Sequence, residues 1–195
     1  MSTKKRQMST GTIALVTGAN EGVGLATAHR PVTVRPVSID VTDDESVRRA
    51  AEFVGREYGR LDVPVNNAGT LVRRQATEVS AADMRLEFET NAFGMVRVVH
   101  AMPPLLRRSP SPRIVTVSSD SAVFAKAAEK GSMFARSHDP FAYSATKTAV
   151  NMLTVTYANA FLDGPEPAHV KINAVTPGYV ATDLNDFAGT PAGSF

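Results

Sequence analysis

The 195-residue chain reads as one α/β domain built on a doubly wound parallel sheet. Three observations predict this. Short β-branched runs alternate with longer helical patterns, the signature of βαβ units whose sheet is covered on both faces. Hydrophobic residues make up 43% of the chain, enough for one core at this length. A glycine-rich turn directly follows the first run.

Residues 1–10 are polar and basic and lack the apolar stretch of a secretory signal, so they read as a disordered lead into a single domain over 11–195. Strands are expected at 13–17, 32–39, 61–65, 113–117 and 170–175. Pro64 is awkward in a central strand because it has no ladder donor. Thr42, Asp43, Asp44 and Glu45 form a capping box, with Val47, Ala51, Val54 and Tyr58 following at helical spacing. A second box, Ser80 to Asp83, opens a long helix through Met84, Phe88, Met95, Val99 and Met102, which Pro103 and Pro104 stop or kink. The methionine spacing reads as core packing. A last long helix is expected over 141–161, ended by Gly164 and Pro165.

Composition excludes several function classes. Lys and Arg number 21 against 19 Asp and Glu, so the formal charge of +2 offers no cationic surface for nucleic acid. The chain has no Cys, which removes disulfide and thiolate chemistry and fits a cytoplasmic protein. No apolar run approaches the roughly 20 residues of a membrane span. His29, His100, His138 and His169 lack metal-ligand spacing, so no metal site is expected.

The first strand runs into Thr17-Gly18-Ala19-Asn20-Glu21-Gly22-Val23-Gly24. Glycines between a strand and a helix let the backbone approach a pyrophosphate, whose charge the helix N-terminal amides stabilise. Further on, Asp40-Val41 follows a strand and Asn66-Asn67-Ala68-Gly69 another. Asn91 lies inside the long helix and Ser118-Ser119 ends a strand. Tyr143-Ser144-Ala145-Thr146-Lys147 opens the last helix, and Pro177-Gly178-Tyr179-Val180-Ala181-Thr182 follows the last strand. With these motifs in this order over residues 12–184, the chain resembles the short-chain dehydrogenase/reductase family, and within it the carbonyl-reductase-like branch.

The resemblance implies a Rossmann-type fold and an NAD(P)-dependent oxidoreductase that interconverts a carbonyl and an alcohol by hydride transfer. Asn91, Ser119, Tyr143 and Lys147 are the implied catalytic residues. Gly18, Asn20, Glu21, Gly22, Val23, Gly24, Asp40, Val41, Asn67, Ala68, Gly69, Pro177, Gly178, Val180 and Thr182 would hold the cofactor together with Tyr143 and Lys147. The alkoxide left by hydride transfer needs a positioned acid. Tyr143 is that acid, and Lys147, one helical turn on, is expected to bring its pKa down from about 10. Ser119, rather than Ser118, would hydrogen-bond the carbonyl oxygen. Asn91 matches the family position that holds a water linking the Lys to solvent. The branch implies NADP before NAD as cofactor, although Glu21 occupies a position where NADP-preferring relatives carry Lys or Arg.

The chain also departs from the family pattern. Residues 31–60 have room for one strand and one helix where two of each are usual, so the second strand and its helix are missing, and much of the usual C-terminal segment is absent as well. Seams at Arg30/Pro31 and Thr190/Pro191 are expected if segments have been omitted. The spacing from Ser119 to Tyr143 is about twice the usual one, which implies an insertion over 124–139. In the carbonyl-reductase-like branch such an insertion covers the helix face that other members use to dimerise, so a monomer is expected before a homodimer. The alternative to an active enzyme is a catalytically impaired dinucleotide-binding protein of the same fold.

Overall fold

A computed structural model of the chain describes residues 11–28, 33–132, 141–163 and 169–191. Four parallel strands form the sheet in the order β1 (Ala14–Val16), β2 (Val63–Asn66), β3 (Arg113–Val117), β4 (Lys171–Val175). Helix α1 (Gly22–Ala28) follows β1, and α2 (Asp44–Tyr58) precedes β2. A long helical run separates β2 from β3, and α7 (Phe141–Asp163) separates β3 from β4.

The strand expected at 32–39 is absent: residues 33–40 carry no strand, and residue 32 lies outside the described part. Its polar groups turn to α2 instead. Arg35 pairs with Glu57 at 2.7 Å and stands over the Phe53 ring at 5.7 Å, and the Asp40 amide donates to Ser46 Oγ at 2.9 Å. Pro36 also removes one ladder donor from the run. β1 is therefore an edge strand of the sheet.

Pro64 fits in the central β2 because of where its missing donor points. Val63 N donates to Ile13 O and Val65 O accepts from Thr17 N, so those residues face β1 and Pro64 faces β3. Pairing with β3 starts only at Val65↔Val115.

The box at Ser80 forms as expected, with Ser80 Oγ accepting from Asp83 N and the Asp83 carboxylate from Ser80 N. The box at Thr42 does not: Asp43 is the N-cap, and Glu45 turns to Arg48. The long helix comprises α3 (Ala81–Phe88), a π-helical turn (Glu89–Phe93) and α4 (Gly94–Ala101), with α5 (Pro103–Leu106) starting at the prolines. A Cβ on Gly94 would lie 2.7 Å from Val41 Cγ2, so this glycine lets α4 pack directly on Val41. Met95, Val99 and Met102 sit in the core with Val47, Val54, Leu61, Leu106, Ile114 and Val150.

After β3 come a 3-10 turn (Asp120–Ala122) and α6 (Phe124–Ala128), the described start of the expected insertion; residues 133–140 lie outside the described part. Its Phe124 is exposed, as are Phe93 in the π-helical turn and Met152, Val155 and Leu162 on α7. The chain then forms β5 (Val180–Ala181), a 3-10 turn (Asp183–Asn185) and β6 (Thr190–Pro191), which pairs with β5. Thr190 and Pro191 thus belong to one short strand. Arg30/Pro31 and the terminator at Gly164 and Pro165 lie outside the described residues. Among the described residues, no helix is long and apolar enough to cross a membrane and no His, Asp and Glu cluster could hold a metal.

Candidate active site

The C-terminal ends of the four strands open into a cleft of about 290 Å³. One side is the turn after β1. Gly18 (φ +63°) and Gly22 (φ +53°) occupy left-handed conformations that other residues adopt at a penalty. Gly24 serves a different purpose. A Cβ there would stand 2.2 Å from Gly18 O and 2.4 Å from Asn67 Nδ2, so only glycine lets α1 start this close to β2. Asn67 locks the arrangement by donating Nδ2 to Thr17 O at 3.0 Å and Gly18 O at 3.1 Å. The buried Thr17 hydroxyl accepts the amides of Asn67 and Ala68 at 3.1 and 3.0 Å.

The opposite side comes from β3 and α7. Tyr143 and Lys147 lie one turn apart and both line the cleft with Ser119. Burial pushes the Tyr143 hydroxyl up to about 12, and the Glu87 carboxylate pushes it the same way. The expected lowering by Lys147 is not found, for a geometric reason: Nζ donates to Val117 O at 2.7 Å and stands 5.4 Å from the centre of the Tyr143 ring, over its face. Burial in turn pulls Lys147 down to about 8, which leaves it largely cationic at neutral pH.

Ser118 and Ser119 both line the cleft but differ in their partners. Ser118 is buried, with its hydroxyl given to Asn151 Oδ1 at 2.6 Å. Ser119 is half-buried, with Oγ 2.9 Å from Ser121 Oγ, and both hydroxyls line the cleft. Ser121 is a site residue that sequence spacing alone does not single out.

The Asn91 side chain is buried in the π-helical turn. Oδ1 accepts Thr70 N at 2.7 Å, and Nδ2 donates to Thr70 O at 2.9 Å and Thr146 Oγ1 at 3.0 Å. Its amide is committed to holding protein together. On the inner side of Lys147, a cavity of about 10 Å³, the size of one water, borders the Asn66 amide and the Thr116 hydroxyl. Those groups are buried with no hydrogen-bond partner among the described residues.

Of the residues expected to hold a cofactor, Gly18, Glu21, Gly22, Val23, Asn67, Ala68, Gly69, Pro177, Gly178, Val180 and Thr182 line the cleft with Tyr143 and Lys147. Asn20, Gly24, Asp40 and Val41 do not. Asn20 is exposed, and Gly24 acts behind the turn. The Asp40 carboxylate closes a local turn on Thr42 N at 2.9 Å and Thr42 Oγ1 at 2.8 Å, and Val41 is buried against Gly94. Thr182 approaches the glycine turn from the far wall, its Cγ2 lying 3.2 Å from where a Gly22 Cβ would be.

Residues 31–191 match the family model described as short chain dehydrogenase. The chain is 30% identical over 192 residues to 3-ketodihydrosphingosine reductase of Bacteroides thetaiotaomicron, covering 89% of this chain and 66% of that one, so it spans just under two thirds of that relative's length. It is 27% identical over 237 residues to carbonyl reductase (NADPH) 1 of Pongo abelii, covering 91% and 85% of the two chains. Among solved structures, the ligand-free aldohexose dehydrogenase of Thermoplasma acidophilum superposes with a TM-score of 0.71 at 29% identity, covering 89% of this chain and 68% of that one.

Proposed function

The chain belongs to the short-chain dehydrogenase family, and from that membership we propose that it is a nicotinamide-dinucleotide-dependent oxidoreductase that interconverts a small-molecule carbonyl and its alcohol. The observation that carries this reading is one cleft lined both by the glycine turn and by Ser119, Tyr143 and Lys147. A dinucleotide bound there supplies or takes up the hydride. The lining fits its pyrophosphate at Gly18 and Gly22 by the start of α1, and its nicotinamide end at Pro177, Gly178, Val180 and Thr182. Asp40 and Val41, proposed to flank the adenosine, stand off that lining.

The chemistry of the chain's own residues favours reduction. With its proton affinity raised by burial, Tyr143 is a neutral O–H donor at physiological pH and gives that proton to the carbonyl oxygen as it becomes an alkoxide. The Ser119 hydroxyl donates to the same oxygen, with Ser121 holding it in place. Lys147, cationic below about pH 8 and held to Val117 O, lines the cleft beside Tyr143 as a donor to the bound dinucleotide. Asn91 holds Thr70 and Thr146, and through Thr146 the first turn of α7, where Tyr143 sits. NADP is proposed before NAD as the dinucleotide.

Tyr143→Phe tests the reading. It should lower kcat on any accepted carbonyl by about 10²- to 10⁴-fold, the usual contribution of a general acid, while NADPH binding followed by fluorescence stays near wild type. A variant keeping more than about a tenth of kcat removes Tyr143 from that role. Wild-type protein that binds NADPH but turns over no carbonyl fits the second reading, a binding protein of the same fold. That reading draws on Asp40 and Val41 standing off the cleft lining.

A further inference from the structure

Glu87 enters the reaction as proposed only by pushing up the Tyr143 hydroxyl, yet no described acidic side chain is more deeply buried. Its Oε1 accepts the Val72 amide at 2.8 Å, and its Oε2 is enclosed without a hydrogen-bond partner among the described residues. Enclosure pushes its carboxyl above the ordinary range, and Asp83 pushes it the same way. A charged group in such a place is costly, so an interaction has to account for its presence.

The neighbouring contacts indicate one. Glu87 and Asn91 are four residues apart on the same helical run, which puts them on one face. Asn91 grips Thr70 through both of its backbone groups, and Glu87 grips Val72. Alternate residues of the segment after β2 are thus tied to the helix. Gly69 and Leu71, the residues out of step with them, line the cleft. On the other side Arg73 reaches the far wall, donating Nη2 to Leu184 O at 3.1 Å and pairing with Asp186 at 3.4 Å.

We propose that Glu87 is a positioning residue of the cleft: by holding Val72 to the helix it aims Leu71 at the bound carbonyl compound and limits the size of the group that compound carries. The role rests on the reductase reading. A sheet-end segment with no side-chain tie would move with its loop, whereas this wall is held at two successive alternate positions.

The test compares Glu87→Leu, Glu87→Gln and Leu71→Ala, with acetophenone and butyrophenone as probe ketones and amide exchange of Val72 and Thr70 followed by NMR. A Gln carbonyl accepts the same amide, so Glu87→Gln should keep Val72 exchange and KM within about threefold of wild type. Leu accepts nothing. Glu87→Leu should speed Val72 exchange by about tenfold or more while Thr70 stays protected, and raise KM by about tenfold with kcat moving less than about threefold. Leu71→Ala should raise KM as much with Val72 still protected. Unaltered Val72 exchange and KM in Glu87→Leu would overturn the proposal. So would a Gln variant as impaired as the Leu variant, since the proton and not the acceptor would then matter. Should Glu87→Leu fail to fold, the proposal stands if Leu71→Ala raises KM and Glu87→Gln does not, and falls if Leu71→Ala leaves KM unaltered. If the wild type reduces neither ketone, the reductase reading has failed on these probes, and amide exchange alone decides whether Glu87 holds Val72.

Discussion

The inner half of the cleft and the stretch from residue 33 to Asp40 are held in opposite ways. In the inner half, Asn67 ties to Thr17 and Gly18, Asn91 to Thr70 and Thr146, Lys147 to Val117, and Ser118 to Asn151, all far apart in sequence. Between 33 and 40 the bonds all run to the turn and helix that follow directly: Arg35 reaches Glu57, the Asp40 amide takes Ser46 Oγ, and its carboxylate takes Thr42. Long-range ties fix side chains from different elements relative to one another, which is what proton transfer and hydride alignment require. A segment tied to its own following helix positions that helix and nothing in the cleft. The lesson is that the chemical half should be brittle to small changes, whereas recognition at the open end should be tunable.

The largest effect should come from Gly24→Ala, which tests that brittleness directly. The added Cβ would meet Gly18 O and Asn67 Nδ2, both members of one clamp. We expect a loss of at least about 3 kcal/mol in urea unfolding, the upper end for forced overpacking. Gly59→Ala is the control, because Gly59 is left-handed (φ +74°) with nothing within 4 Å of its missing Cβ. It should lose only about 1 kcal/mol. Equal losses would show that the clamp yields easily and that the contrast between the two regions is smaller than their bonds suggest.

A second effect, of similar size, concerns the charge inside the chemical half. Burial holds Lys147 near 8 where an exposed Lys has 10.5, so unfolding takes up a proton between those values. Stability attributable to Lys147 is therefore fully present above about pH 10.5 and is lost as pH falls to 8. Relative to Lys147→Met, wild-type unfolding free energy should improve by about 3 kcal/mol between pH 7.5 and 10.5. Parallel pH curves for the two proteins would mean that Nζ is hydrated, and the inner half would then be less sealed than its contacts imply.

The same division separates what the sequence discloses from what it does not. Strands 13–17 and 113–117 are legible because a buried parallel strand is a dense run of β-branched residues, and the Ser80 box because its partners lie three residues apart. The run at 32–39 has the same local composition and forms no strand across its described residues, since a strand also needs a free neighbouring edge and a way to cross to it, which composition does not encode. The π-helical turn carrying Asn91 has no sequence mark either. In the site, Tyr143, Lys147 and Ser119 are legible from motif and order. The upward shift of Tyr143 is not, because it depends on which carbonyl captures Lys147 Nζ and on Glu87 in another helix. Glu87 itself resembles any helical acid until Val72 is seen against it.

The smallest expected effect sharpens the comparison from the tunable side. Glu21 is exposed, lines the cleft in the glycine turn and is tied to nothing across it by its side chain among the contacts described. If the turn cradles a dinucleotide, the Glu21 carboxylate faces its ribose end, where it tolerates a 2′-hydroxyl and repels a 2′-phosphate. Glu21→Lys reverses that charge without touching the clamp at Gly24 and Asn67. The ratio of kcat/KM for NADPH to that for NADH should rise by about tenfold, equivalent to about 1.4 kcal/mol, while Tm and kcat with NADPH stay near wild type. A fall in kcat along with the shift would show that the open end is mechanically coupled to Tyr143, against the division drawn here. An unaltered ratio would move dinucleotide choice away from the turn and toward Asp40 and its neighbours, where the next charge reversal should be made.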